Sequence, residues 1–262
     1  MGTALLTPAI VLGSLRYGET SRIVRLATRE FGVLSAIAKG ALRPKSRFGA
    51  ALQLLSEGQA HLLPSRSSDL HTIIAFDLAA THSGLAGNME RFAAGSALAE
   101  VAARFVPQMA NPLLYDQLRD DIKLIELAPV DAIGVVALRA MWRLIAELGL
   151  APTLARCARD GAPLPEGAVA MSLRDGGFLC DSCARGGTAR RLQPADRADL
   201  VSLLDPDGQL PLLDARQDAA HRRLLVRWVR EHLGDAAMPA LEAWGVGHGA
   251  LGPSPPDSAG GD

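Results

Sequence analysis

Residues 23–38, IVRLATREFGVLSAIA, contain two short apolar runs that lie close together. The runs Ile23–Thr28 and Val33–Ala38 flank the linker Arg29-Glu30-Phe31-Gly32. A short linker that ends in glycine suits a tight turn between two antiparallel strands. The stretch therefore predicts a β-hairpin.

Further strand patterns surround this hairpin. They are Thr7–Tyr17, which ends in a Gly-Glu turn, Leu52–Leu63 and Leu70–Phe76, the last two separated by the polar segment 64–69. Five short strands in about 80 residues are typical of a small barrel or sandwich. The count fits an OB-fold barrel and an SH3-like barrel equally well.

From about Leu85 the apolar period changes from two to between three and four, which indicates helices. Leu98, Val101 and Phe105 share one helical face, and Pro107 ends that helix. Further helices are predicted at Pro112–Ile125, at 133–148 with Asp131 as its cap and Gly149 after its end, at Ala195–Leu204 and at Asp214–Leu233. Residues 157–187 are rich in Gly and Pro and read as irregular, and the tail after Trp244 is not expected to fold. We therefore predict an α+β multidomain chain, with a β-barrel at 1–80, an all-α domain at 81–235 that encloses an insertion at 153–190, and a flexible tail at 236–262.

Composition excludes several classes of protein. Of the 262 residues, 48% are hydrophobic and 21% charged, which is unlike a disordered chain. The longest charge-free stretch, Met1–Leu15, is shorter than the roughly 18–20 apolar residues of a membrane span, and it lacks the basic start of a secretory signal. We therefore expect a cytoplasmic protein with no membrane partner.

Charge is sorted along the chain, although the 27 Lys and Arg nearly balance the 28 Asp and Glu. Residues 1–50 carry eight basic side chains against two acidic ones, a net charge of +6, and the remainder is acidic. Four of the cations fall within nine residues, Lys39-Gly-Ala-Leu-Arg43-Pro-Lys45-Ser-Arg47, where Gly40 and Pro44 favour a loop. Such a loop on a barrel rim could follow the phosphates of a nucleic acid, whereas the ordinary alternative is a solvated surface loop. The candidate nucleic-acid contacts are Arg16, Arg22, Arg25, Arg29, Lys39, Arg43, Lys45 and Arg47.

Aromatic side chains are scarce in this part of the chain: only Tyr17, Phe31, Phe48 and Phe76 are available as stacking platforms. Binding is therefore expected to depend on charge more than on base stacking, with a strong dependence on salt. A second basic set, Arg223, Arg227 and Arg230, follows helical spacing and is typical of the solvated face of an amphipathic helix. The alternative is that some of these groups extend a DNA path or bind an acidic partner peptide.

Cysteines occur in a pattern close to that of a zinc knuckle. Cys180-Asp-Ser-Cys183 has the C-x-x-C spacing, and Cys157-Ala-Arg-Asp160 resembles a second knuckle whose last ligand is Asp. Cys157, Asp160, Cys180 and Cys183 are therefore candidate ligands of a structural zinc, and a degenerate knuckle that folds without metal fits as well. No phosphate-binding loop, zinc-protease motif or nucleophile elbow occurs, so no enzymatic activity is predicted.

The order of several motifs resembles the bacterial RecO family over about residues 7–235. They are Tyr17-Gly-Glu19-Thr, Thr28-Arg-Glu30-Phe-Gly32, Ala38-Lys39-Gly40-Ala41, Lys45-Ser46, Leu52-Gln53, Leu98-Ala-Glu100, Asn111-Pro112-Leu-Leu114-Tyr115, Leu148-Gly-Leu-Ala-Pro152, Gly176-Gly-Phe-Leu-Cys180-Asp-Ser-Cys183 and His221-Arg-Arg-Leu-Leu225. The resemblance implies an N-terminal OB-fold followed by a helical domain with a zinc-knuckle-like insertion, which in many members is held by four cysteines.

The resemblance also implies a function. Family members are non-enzymatic recombination mediators that act at the nucleoid: they bind single- and double-stranded DNA, anneal complementary strands and, with RecR, help RecA to replace SSB. The basic positions would then contact DNA, and the helical domain would dock the C-terminal tail of SSB. The alternative from the residues alone is a protein-interaction adaptor whose basic barrel binds an acidic partner.

Overall fold

The computed structural model describes residues 4–65, 67–185, 190–234 and 236–247. Five strands form the first part of the fold: β1 (Leu5–Tyr17), β2 (Ser21–Thr28), β3 (Gly32–Ala38), β4 (Glu57–Leu63) and β5 (Leu70–Ala80). They close into a barrel in the order β1-β2-β3-β5-β4, with β3 and β5 parallel and every other pair antiparallel. This is an OB-like barrel, as predicted.

The two faces of the barrel strands have different neighbours. Val11, Leu26 and Leu34 point into the barrel and are almost completely buried there. Ile10 and Ala27, one position away, face outward and join the core of the helical domain. Because side chains alternate along a strand, β1 and β2 contribute to both cores at once.

β1 extends beyond the part of the strand that pairs with β4. It pairs with β4 only over Leu5–Ile10, and with β2 it pairs onward to the strand's end at Tyr17. A β-bulge lies between Val11 and Gly13, and such a bulge increases the local twist. The ends of β1 and β2 therefore extend as a hairpin past the barrel's pairing with β4.

The predicted strand at Leu52–Leu63 is too long at its N-terminal end. Only Glu57–Leu63 is a strand, and the residues before it form turns. Leu55 has φ 63°, which interrupts extended backbone. Leu52 is apolar because it packs into the barrel core from this loop, not because it belongs to a strand.

The rest of the chain is mainly helical. The helices are α1 (Ser83–Ala86), α2 (Met89–Phe105), α3 (Pro112–Leu127), α4 (Ile133–Glu147), α5 (Asp181–Ala184), α6 (Pro194–Leu204), α7 (Ala215–Leu233) and α8 (Pro239–Val246). Their shared core contains Trp142 and Trp228, whose rings meet edge to face with centroids 5.9 Å apart. The predicted helix end before Pro107 and the turn at Gly149 are confirmed, with Gly149 at φ 77°.

Two further expectations are corrected by the structure. Asp131 does not cap α4, because it lies inside a 3₁₀ turn, Val130–Ala132, that leads directly into the helix. The tail predicted to be loose from 236 contains α8, which is anchored because Met238, Leu241 and Trp244 are buried in the helical core. The remainder of that tail, 248–262, lies outside the described residues.

The insertion is more regular than its composition indicates. Its strands β6 (Val169–Ser172), β7 (Gly177–Leu179) and β8 (Arg190–Leu192) form a small sheet in the order β7-β6-β8. α5 follows directly after β7 and Cys180. In the part of the chain that the structure describes, no helix combines the length and the apolar character required to cross a bilayer.

Candidate nucleic-acid interface and metal centre

Register places Arg16 and Arg22 opposite each other near the tip of the β1–β2 hairpin. Arg22 is also paired with Ala38, the last residue of β3, so three adjacent strands meet at this end of the barrel. Both arginines lie on the same face of the sheet, since directly opposed residues share a face. Their hydrogen bonds are local: Arg22 Nη1 donates to Ser14 Oγ at 3.1 Å, and Arg16 Nε donates to the carbonyl of Gly18 at 3.3 Å.

The loop after β3 brings further cations to the same end. The amide of Leu42 donates to the carbonyl of Thr20 in the β1–β2 turn at 2.8 Å, which ties the loop to the hairpin. Phe48 is buried in the barrel core and anchors the loop from the other side. The side chains that this loop presents to solvent include Lys39, Arg43, Lys45 and Arg47, and the guanidinium of Arg47 lies 5.1 Å from the centre of the Phe48 ring.

Arg25 is directed elsewhere, although it belongs to the same strand as Arg22. Its Nε donates to the carbonyl of Ala103 in α2 at 3.1 Å, and its Nη1 donates to Ser35 Oγ at 2.9 Å. Partial burial lowers the pKa of the guanidinium. Arg25 therefore joins the barrel to the helical domain.

Arg29 also contacts the helical domain. It donates hydrogen bonds from Nε and Nη2 to the two carboxylate oxygens of Asp116 in α3, at 3.3 and 3.0 Å. This bidentate contact raises the pKa of Arg29 and lowers that of Asp116. Arg29 was among the predicted DNA contacts because its partner Asp116 is 87 residues away in the chain, and no local pattern in the sequence connects the two.

The eight predicted contacts thus separate into two groups. Six, which we call the cationic rim, lie at one end of the barrel, and none of the six makes an ion pair with a carboxylate among the described residues. The rim consists of Arg16, Arg22, Lys39, Arg43, Lys45 and Arg47. The other two, Arg25 and Arg29, hold the barrel against α2 and α3.

The candidate metal ligands come together in the insertion. One ligand atom from each of Cys157, Asp160, Cys180 and Cys183 can be chosen so that all four lie within 4.8 Å of one another. Asp160 Oδ2 is 3.1 Å from the Sγ of Cys183 and 3.6 Å from that of Cys180. A tetrahedral zinc bound at about 2.3 Å to sulfur and about 2.0 Å to oxygen places its ligands about 3.5 Å apart. The donor set and its spacing therefore fit a zinc ion.

The local backbone explains this convergence. The amide of Gly161 donates to the carbonyl of Cys157 at 2.9 Å, and the amide of Ala184 donates to that of Cys180 at 3.0 Å, so each pair of ligands lies on a tight turn. The amide of Ala162 donates to Asp160 Oδ1 at 3.0 Å and orients the carboxylate. Asp160 thus occupies the position that the second knuckle requires.

Hydrogen bonds within the cluster shift the pKa values of Asp160, Cys180 and Cys183. Hydrogen bonds from the Cys157 thiol, the Ala162 amide and the Cys183 thiol lower the pKa of Asp160. The same contact with the Asp160 carboxylate raises the pKa of Cys183 to about 12, whereas the hydroxyl of Ser182 lowers the pKa of Cys180. A divalent cation would replace these shared protons, so metal binding would release protons.

Sequence reasoning missed a cavity of about 320 Å³ between the insertion sheet and α7. Its lining combines three arginines, two carboxylates and several apolar side chains. The charged members are Arg174, Arg191, Arg227, Asp196 and Glu231, and the apolar ones include Leu192 and Leu224. His221 also lines it and is 3% exposed, and neither of its ring nitrogens has a hydrogen-bond partner among the described residues. Arg223 and Arg230, like Arg227, lie on the exposed face of α7 as predicted, and Arg230 forms an ion pair with Glu242 of α8. No pattern in the sequence joins residues from the insertion and α7, so only the fold reveals this cavity.

A closed OB-like barrel with a cationic end, joined to a helical domain that carries a knuckle-like Cys/Asp cluster, defines a multidomain OB-fold protein. Comparison with known families then identifies which one. The family profile "Recombination protein O N terminal" matches residues 1–82, and the profile "Recombination protein O C terminal" matches residues 86–242. The chain therefore belongs to the RecO family of DNA repair proteins.

Individual relatives agree with this assignment. A protein named DNA repair protein RecO from Anaeromyxobacter dehalogenans strain 2CP-C is 32% identical over 237 residues, which cover 86% of this chain and 90% of the relative. Its namesake from strain 2CP-1 is 33% identical and covers 89% and 93% of the two chains. The protein of the same name from Thermobifida fusca is 33% identical and covers 86% and 91%.

Proposed function

We propose that this protein binds single- and double-stranded DNA through the cationic rim and acts in recombinational repair without catalytic turnover. The observation that carries the proposal is the collection of six cations at one end of the barrel, none with a carboxylate partner among the described residues. Each cation that neutralises a phosphate releases a condensed counterion, and this release provides affinity that does not depend on base sequence.

Strand annealing follows from the same distribution of charge. Two complementary strands repel each other until their phosphates are screened, and the rim supplies that screening locally. Residues outside 1–50 carry more acidic than basic groups. The rest of the protein surface would therefore not attract the annealed duplex. A localised rim therefore favours bringing strands together and releasing the duplex.

Family membership supports the partners RecR, RecA and SSB, and we propose that the protein works with RecR to help RecA replace SSB on single-stranded DNA in the cytoplasm, at the nucleoid. We assign docking of the SSB C-terminal tail to the cavity beside His221. Its three arginines outnumber its two carboxylates, Asp196 and Glu231, and together with its apolar side chains they suit a segment that carries carboxylates beside an apolar group. Reversal of Arg174 to Glu should abolish binding of a peptide with the sequence of that tail while leaving oligonucleotide binding unchanged. A peptide that binds this variant normally would exclude the cavity.

We further propose that Cys157, Asp160, Cys180 and Cys183 hold a structural zinc. Support comes from the spacing of their ligand atoms within the insertion. The metal would fix the two turns of the insertion to each other and would contribute to stability rather than to chemistry.

The decisive experiment for DNA binding is charge reversal on the loop with a matched control. Combined Arg43→Glu, Lys45→Glu and Arg47→Glu substitutions should weaken binding to a single-stranded oligonucleotide and reduce its salt dependence. The control reverses Lys123, Arg156 and Arg216, which are exposed in the helical domain and its insertion, and so makes the same change in net charge away from the rim. We expect the control to bind almost as the unaltered protein does.

Two results would contradict the proposal. Equal losses in both triple variants would show that only total charge matters. Absence of oligonucleotide binding by the unaltered protein at low ionic strength would favour the adaptor alternative, in which the rim meets an acidic protein.

A further inference from the structure

Tyr17 is the one barrel aromatic that the described structure leaves exposed. Phe48 and Phe76 are buried in the barrel core, and Phe31 is packed against that core. Tyr17, in contrast, is 52% exposed, and Leu15, two positions earlier in β1, is 59% exposed. Large apolar side chains on the same strand face thus remain in contact with water, next to the most strongly cationic part of the protein.

Register defines where this apolar surface lies. Leu15 is paired with Ile23 of β2, and Tyr17 is paired with Ser21, so Leu15, Ile23 and Tyr17 share one face of the hairpin. Arg16 and Arg22 lie on the opposite face, because side chains alternate along a strand. β1 ends at Tyr17 and β2 begins at Ser21, so the two faces of the hairpin meet at the turn between them. The apolar face and the cationic rim therefore adjoin along its edge.

We propose that the ring of Tyr17, supported by Leu15, stacks against a base of single-stranded DNA whose phosphates lie along the cationic rim. This inference rests on the proposed function and adds a base contact to it. The occupant follows from charge complementarity: a ligand that satisfies the rim is a polyanion, and one that also covers an adjoining apolar ring carries flat apolar groups along its backbone. Single-stranded DNA has both, and base–aromatic stacking is tolerant of sequence.

The same contact distinguishes strand types. In a duplex the bases are stacked on each other and paired, so their faces are not available to Tyr17. Phosphates are present in both forms, and the rim therefore attracts both. Tyr17 would thus favour single strands over duplexes without reading any sequence.

The test combines two variants of Tyr17 with three DNA ligands. Tyr17→Ala removes the ring, whereas Tyr17→Phe retains it. Each variant and the unaltered protein are titrated with a single-stranded oligonucleotide, an abasic strand of the same length and the corresponding duplex. Because Tyr17 is exposed, both variants should fold, and circular dichroism and thermal unfolding of each verify this.

We expect Tyr17→Ala to bind the normal single strand at least about fivefold more weakly, the lower end of what one stacked base contributes. Its affinity for the abasic strand and the duplex should be unchanged, as should the slope of affinity against salt, because no cation is lost. Tyr17→Phe should behave as the unaltered protein on all three ligands.

Other outcomes overturn the inference in distinguishable ways. An unchanged affinity of Tyr17→Ala for the normal strand excludes stacking but leaves the rim intact. An equal loss on the abasic strand or the duplex shows that Tyr17 acts through the shape of the hairpin. Failure of the unaltered protein to bind any of the three ligands overturns the proposed function together with this inference.

Discussion

Arg29 and Asp116 face each other across the junction of the barrel and the helical domain, joined by two hydrogen bonds of 3.3 and 3.0 Å. The guanidinium lies in the linker between β2 and β3, and the carboxylate lies in the second turn of α3. A parallel pair of bonds fixes both the distance and the orientation of the two groups. The contact therefore helps set how the barrel lies against the helices.

Replacement of Arg29 by Met should lower the midpoint of thermal unfolding slightly and leave DNA affinity unchanged. The effect on stability is small because both side chains are partly exposed to solvent, which screens the pair. Arg43→Met is the matched variant, since it removes the same group from the rim: it should weaken DNA binding without a change in stability. Thermal unfolding and oligonucleotide titration of both variants check this, and the reverse result would show that the two arginines were assigned to the wrong roles.

The contribution of this ion pair should depend on pH. The hydrogen bonds from Arg29 lower the pKa of Asp116 below its ordinary value of 3.8. A carboxyl group whose pKa is lower in the folded protein stabilises the fold above the unfolded pKa, and this stabilisation is lost as the pH falls through the folded pKa. The difference in unfolding midpoint between Arg29→Met and the unaltered protein should thus be complete at neutral pH and disappear in acid below 3.8. A difference that persists unchanged there would exclude Asp116 as the partner.

The sequence shows that positive charge is concentrated in residues 1–50, but it does not separate the cations that face solvent from those that contact the helical domain. Arg22 and Arg25 lie on the same short strand and look equivalent as residues. They differ because the side chains of β2 alternate between the two faces of the sheet, and α2 covers only the face that carries Arg25. That distinction depends on contacts with residues far away in the chain, which no local pattern reports.

Gly32 lies directly against the backbone of the segment after α2. Its φ is 68°, and a Cβ added there would lie 2.3 Å from the carbonyl oxygen of Pro107. Gly32→Ala should therefore lower the free energy of unfolding by about 2–4 kcal/mol, since backbone strain and a clash with backbone act together.

Gly18→Ala is the control for this variant. Gly18 has φ 60° in the β1–β2 turn, but a Cβ added there would meet no described atom within 4 Å. Gly18→Ala should lower the free energy of unfolding only by the cost of the left-handed conformation, about 1–2 kcal/mol. Chemical denaturation measures both variants. If the two losses are the same, the contact with Pro107 does not limit the packing of the two domains.

Local periodicity predicted the barrel and the long helices well, and it failed where apolar residues pack without regular structure. Leu52 was assigned to a strand because a buried loop residue and a buried strand residue look alike in sequence. α8 was missed because eight residues are too few to show a helical period among Gly and Pro. Its burial against α2 and α7 stabilises it instead, through Leu241 and Trp244.

Substitutions of Asp160 test the metal centre. Protein purified without chelator should contain about one zinc ion per chain, and Asp160→Ala should lose most of it because three thiols remain without the fourth ligand. Asp160→Cys should retain zinc and resist chelators better, since it completes a four-cysteine set. Metal analysis, together with thermal unfolding before and after chelation, measures both effects.

Asp181→Asn is the control, because Asp181 lies in the same insertion but pairs with Arg191 rather than with the cluster. It should keep its metal. Metal-free protein from the unaltered chain, or full occupancy in Asp160→Ala, would show that the cluster folds on hydrogen bonds alone.

The salt dependence of binding to single-stranded DNA shows which cations contact phosphates: we expect the six rim cations to do so, and Arg25 and Arg29 not to. Each of the eight residues is replaced singly by Gln, and the logarithm of the association constant is measured against the logarithm of salt concentration. Each rim substitution should reduce the magnitude of the slope by about 0.7, the value for one phosphate contact on a single strand. The substitutions at Arg25 and Arg29 should leave the slope unchanged. Slopes that fall equally for all eight residues, or that do not fall for the rim, would exclude the rim as the place where phosphates bind.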